Sequence, residues 1–155
     1  MAHEWMLGLT RRQALSIAVG SIGAAALGVA TPASAANDSA DLIKKFTGGK
    51  QPVTGKVKLD LPEIAENGNT VPLSVTVESP MTEQSFVQQV LVLADGNPNA
   101  GVATFNFTPL SGAAEATTRI RLAATQNIIA VAKMNDGAFF IDTKQIKVTI
   151  GGCGG

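Results

Sequence analysis

The sequence predicts an all-β fold, an immunoglobulin-like antiparallel β-sandwich with a short N-terminal helix and a flexible C-terminal arm. Three observations carry this. From residue 53 onward apolar residues recur with period 2 rather than 3.6, as in half-buried strands. Turn signals built on Gly, Pro, Asn and Asp separate these runs at short intervals. No helical stretch lies between the strands, so the crossovers of a parallel α/β sheet are lacking. A partly open barrel is the second arrangement compatible with the pattern. The 155 residues are 45% hydrophobic with no Tyr and few aromatics, which implies a core of Val, Ile, Leu, Ala and Phe. The single Cys and the single, N-terminal Trp exclude a true antibody-type domain.

Residues 1–35 are expected to be a cleaved signal peptide. Arg11-Arg12 precede an Ala/Gly-rich apolar run, and Ala33-Ser34-Ala35 has the small-x-small form of a signal-peptidase site. The paired arginines resemble a twin-arginine export signal, with Gln13 and Leu15 in keeping and Ala14 where Phe is preferred. Ordinary secretory export and a retained anchor are the alternatives, and the apolar run is marginal for a span. Residues 37–46 then read as a helix, with Asp38 as N-cap, Leu42, Ile43 and Phe46 on one face, and Gly48-Gly49 as the stop.

Residues 53–61 alternate as one strand, and 62–70 form a long turn. Val71, Leu73, Val75 and Val77 alternate with polar neighbours. Pro72, which has no N–H to donate, places that strand's start or the whole strand at a sheet edge. The run 86–94 is nearly all apolar and closes on the turn 95–99. Strands follow at 102–107, 116–122, 127–133, 139–142 and 144–150, with a hairpin-type turn at Asn135-Asp136-Gly137. In the last strand Ile146, Val148 and Ile150 point inward, so the strand is expected to be held in the sandwich up to Ile150. The domain is therefore 36–150, and 151–155 is the arm.

Removing residues 1–35 narrows the chemistry. The only histidine, His3, and the only tryptophan, Trp5, leave with them, together with two of twelve Lys/Arg and one of twelve Asp/Glu. The remaining 120 residues carry a net charge near −1, which offers no bulk attraction to nucleic acid or anionic lipid. Without an imidazole there is no Ser-His-Asp or Cys-His nucleophile. One Cys cannot supply a zinc site or a c-type haem. The chain is expected to be no enzyme and to hold no metal or other cofactor.

What remains is Gly151-Gly152-Cys153-Gly154-Gly155. Four glycines leave the backbone around Cys153 free of side chains and open to both signs of φ. Three residues beyond Ile150, the thiol is expected to stand roughly 10 Å from the strand end. No Lys, Arg or His lies within five residues, and the terminal carboxylate two residues away disfavours a thiolate. Cys153 thus reads as a group acted on by other proteins, the alternative being an intermolecular disulfide in an exported adhesion or assembly subunit.

The terminal motif and the preceding Lys147-Val148-Thr149-Ile150 resemble the SoxY family, the sulfur carriers of the periplasmic thiosulfate-oxidising system. The stretches 64–72, Asn97-Pro98, Phe105, 118–123 and Asp136-Gly137 are similar as well. The resemblance implies a periplasmic carrier holding thiosulfate-derived intermediates on Cys153. It implies a heterodimer with a SoxZ-like subunit. It also implies transient partners: a SoxXA-type haem cytochrome that joins thiosulfate to Cys153, a SoxB-type thiohydrolase that releases sulfate, and a sulfane dehydrogenase. Other polar residues read as structural. Arg119 and Arg121 share a face that suits solvent better than a sulfonate or an acidic partner. Asp60, Glu63 and Glu66 read as turn carboxylates, and Met81 and Met134 are too far apart for a copper site.

Overall fold

The computed structural model describes residues 37–152, all within one compact unit. The signal-peptide reading falls outside them. Helix α1 (Ser39–Thr47) is followed by nine strands among the described residues: β1 (Val53–Thr54), β2 (Val57–Asp60), β3 (Ile64–Asn67), β4 (Val71–Val77), β5 (Val87–Ala94), β6 (Gly101–Asn106), β7 (Ala114–Ile120), β8 (Gln126–Met134) and β9 (Phe139–Ile150). A 3₁₀ turn, Pro109–Ser111, precedes β7. Two sheets face each other. One runs β1-β9-β8-β5-β6 with β3 also on β9, and the other runs β2-β4-β7.

The alternating residues form the core as their period requires. Val71, Leu73, Val75 and Val77 of β4 are buried and meet Val90, Val92, Ile128, Ala130 and Ile146 from the larger sheet. Each such Val, Leu or Ile contributes roughly 1.5–3 kcal/mol on full burial. Strand β5 is apolar on both faces because α1 lies over its outer side. Asn37 donates its side-chain amide to the Ala94 carbonyl, and the Ala100 N–H donates to Asp38 Oδ1. Phe46 packs edge-on to Phe139, with ring centroids 5.9 Å apart. Asp38 is the N-cap by position, but its side chain makes no cap hydrogen bond. Gly48, at φ 63°, ends the helix.

Four sequence expectations are corrected. The strand expected over 53–61 breaks at Gly55 (φ 119°) and Lys56 (φ 59°), where the chain passes from the larger sheet to the smaller. The turn expected over 62–70 contains β3, which pairs parallel with β9, as β1 also does. The sheets are thus antiparallel apart from these two short pairings. The strands expected at 139–142 and 144–150 are one, since Asp142 and Thr143 stay in register with Ala130 and Ile129 of β8. Pro72 lies near the start of its strand, as expected. That strand is nevertheless central, and Pro72 is accommodated because the β2 ladder stops at Ser74.

Candidate functional site: the seat of the C-terminal segment

Strand β9 delivers the chain end, and its last residues are gripped differently from the rest. The β8 ladder stops at Ile146, which is fully buried. Beyond it β3 takes over, pairing Lys147 to Ile150 with Ile64 to Asn67. On the other edge Thr125 Oγ1 accepts the Val148 N–H at 3.0 Å. Val148 is half-buried and Ile150 is 65% exposed, so the alternation expected to hold Ile150 inside fails at the end of the strand. Backbone hydrogen bonds, not side-chain burial, fix this segment.

Those bonds converge on Gly68 and Leu122. The Gly68 N–H donates to the Ile150 carbonyl, the Leu122 N–H to the Gly68 carbonyl, and the Gly152 N–H to the Leu122 carbonyl, each at 2.8 Å. Asn67 shapes the turn by accepting the Asn69 N–H on its side chain at 2.8 Å. Gly152 is buried. Three glycines make the seat possible by close approach. A Cβ on Gly68 would stand against the Leu122 carbonyl oxygen and 2.8 Å from Gly152 N. A Cβ on Gly151 would stand against the Ala123 carbonyl oxygen, and one on Gly152 would lie 2.9 Å from Gly68 C and O. None of the three has a left-handed φ, so the requirement is the absence of a side chain rather than backbone freedom.

The expectation that the chain leaves the sandwich directly after Ile150 is therefore corrected. Gly151 and Gly152 are seated, and free reach begins no earlier than Cys153. Cys153, Gly154 and Gly155 lie outside the described residues.

The connection from β7 to β8 carries the seat on one edge and a polar hub on the other. Asn97, 4% exposed, donates its amide to the Arg121 carbonyl at 2.9 Å and accepts the Ala123 N–H on Oδ1 at 2.9 Å. Gln126, also buried, donates to the same Oδ1 and accepts the Gly96 N–H. Asp95 accepts both the backbone and the side-chain N–H of Asn127. Sequence reasoning treated Asn97 and Gly68 only as turn residues. A turn Asn or Gly carries no local signal of what it packs against later in the chain.

Beside the hub a cleft of about 370 Å³ opens between the edges of β6 and β7, lined in part by Asn97, Asn99, Thr118, Arg119 and Arg121. Both arginines are exposed, as their alternation implies, yet the structure sets them at a concave site next to the seat. Asp60, Glu63 and Glu66 do not assemble into a metal-binding group: among the described residues no three His, Cys, Asp or Glu come together. Met81 and Met134 are buried in the core. No helix among the described residues is long and apolar enough to cross a membrane.

The fold and site define a class: a β-sandwich whose last strand ends in a side-chain-free seat immediately before a cysteine. The family profile described as "Sulfur oxidation protein SoxY" matches residues 43–153, so the match ends on Cys153. The chain belongs to the SoxY family. It is similar to the sulfur carrier protein SoxY from Chlorobium limicola f thiosulfatophilum, at 28% identity and a TM-score of 0.59, covering 72% of this chain and 96% of that one. A superoxide reductase (neelaredoxin) from Ignicoccus hospitalis has a TM-score of 0.55 at 19% identity, covering 61% of this chain and 81% of that one. A putative superoxide reductase from Thermotoga maritima has a TM-score of 0.51 at 23% identity, covering 66% and 89%. These two share the fold alone. Among curated proteins no match is found.

Proposed function

We propose that the protein is a covalent sulfur carrier in thiosulfate oxidation, with Cys153 as the attachment point. The observation that carries this is the family match running through the seat and ending on Cys153. The seat anchors the backbone through the Gly152 N–H, and the cysteine is the next residue. Gly154 and Gly155 keep the far side of the thiol free of side chains.

The chemistry balances as follows. Cys153 thiol and thiosulfate join through a new S–S bond, releasing one proton and two electrons to a haem cytochrome of SoxXA type. Water then attacks the terminal sulfonate sulfur in a SoxB-type thiohydrolase, sulfate leaves with a proton, and a persulfide remains on Cys153. A sulfane dehydrogenase takes the remaining sulfur. The carrier itself catalyses no step and holds no cofactor. It works in the periplasm as a heterodimer with a SoxZ-like subunit, without stable membrane association or nucleic acid.

Intact-mass measurement of the protein isolated from thiosulfate-grown cells tests this. The expected spectrum contains increments of one S2O3 group or of added sulfur atoms, absent from Cys153→Ser. A spectrum of unmodified thiol together with Cys153–Cys153 dimers overturns the carrier and favours a disulfide-linked assembly subunit.

A further inference from the structure

We propose that the cleft between β6 and β7 is an anion site that receives the sulfonate end of the cargo on Cys153, a resting place for the loaded chain end. This rests on the carrier reading and adds a second site to it.

The lining contains two arginines, the amides of Asn97 and Asn99, the hydroxyl-bearing Thr118, and no carboxylate. That is a composition for an oxyanion: guanidinium groups donate in a planar fork that matches two oxygens of a sulfonate. The cleft also adjoins the seat through the chain itself. The Gly152 N–H is bound to the carbonyl of Leu122, the residue after Arg121. On the opposite edge Asn97 holds Arg121 and Ala123 and lines the cleft. Seat and hub are thus separated by one extended segment, about 5 Å in the spacing of neighbouring strands.

The length of chain beyond Gly152 fits this gap. One Cα step of about 3.8 Å, a cysteine side chain and two S–S bonds of about 2 Å give a sulfonate reach of roughly 10 Å from Gly152 Cα. An empty thiol is shorter and carries no oxyanion. A persulfide, left after sulfate departs, has no sulfonate oxygens. The cleft therefore distinguishes carrier states by charge: the S-thiosulfonate docks, and hydrolysis releases it. Because both arginines are exposed, docking is weak and screened by salt, which leaves the cargo available to a partner.

The test loads the protein without partners. Cys153 thiolate attacks a central sulfur of tetrathionate. The Cys153 S–S bond forms, the central S–S bond of tetrathionate breaks, and thiosulfate leaves with the electron pair while the thiol proton goes to solvent. Intact mass verifies loading. Methyl methanethiosulfonate gives a neutral S-methyl disulfide as the control. In ¹H–¹⁵N spectra the charged adduct is expected to shift the amides of Asn97, Thr118 and Arg119–Arg121, and the neutral adduct to leave them in place. Arg119→Gln with Arg121→Gln should abolish those shifts, leave the unfolding midpoint unchanged, and speed removal of the adduct by dithiothreitol roughly 3- to 10-fold. Shifts confined to residues beyond Val148, equal shifts from the neutral adduct, or equal shifts in the double variant overturn the proposal. The carrier reading fails by a different result, the absence of any sulfur adduct on protein from thiosulfate-grown cells.

Discussion

The segment Arg121–Ala123 is held on both edges, by opposite means. On one edge Asn97 and Gln126 supply amide side chains that satisfy the Arg121 carbonyl and the Ala123 and Gly96 N–H groups. On the other edge Gly68, Gly151 and Gly152 supply nothing but backbone, packed too closely for a Cβ. The hub fails when atoms are removed, because buried polar groups lose their partners. The seat fails when atoms are added, because carbonyl oxygens must move aside. A methyl group is therefore small change in one region and large in the other. For a chain end that must present a thiol, the second device is the more economical: it anchors the backbone while leaving no side chain to obstruct access.

Substitutions can break or sharpen this contrast. Asn97→Ala should be the most damaging, leaving the Arg121 carbonyl, the Ala123 N–H and one Gln126 bond unsatisfied, at about 3 kcal/mol in a urea titration. Gly68→Ala should cost about 1–3 kcal/mol by overpacking, since both Leu122 and Gly152 approach its Cα. Gly151→Ala should cost less globally, about 1 kcal/mol, because the terminal segment peels away rather than deforming the sheets. Its larger effect should be loss of protection at the Gly152 amide. Cys153→Ser should stay within about 0.5 kcal/mol of the parent while losing every sulfur adduct. If Gly68→Ala proved as neutral as Cys153→Ser, the close-packed seat would be wrong. If Asn97→Ala were neutral, the hub would be wrong.

Much of the sandwich was legible in the period-2 pattern. Strand β4 follows it at all seven positions, with four inward apolar residues and three outward ones that are exposed or half-buried. The pattern misled wherever backbone geometry outranked side-chain period. Gly55 and Lys56 keep the alternation while turning the chain from one sheet to the other. Strand β3 was hidden because only Ala65 of its four residues is buried, and its pairing partner lies some 80 residues downstream. The importance of Cys153 was legible from composition alone. The seat was not. Gly151 and Gly152 look the same in a sequence whether they serve as free linkers or as close-packed backbone, and only the approach of Gly68, Leu122 and Ala123 separates the two.

The most direct test of the central claim, that the chain end is anchored through Gly152 and its reach starts at Cys153, is hydrogen exchange at the Gly152 amide. That N–H is bound to the Leu122 carbonyl, so it should exchange about a hundredfold or more slowly than in an unstructured peptide, and Gly68→Ala should remove the protection. Exchange of the Gly152 amide at the unstructured rate in the unaltered protein would contradict the account and return the start of the arm to Ile150.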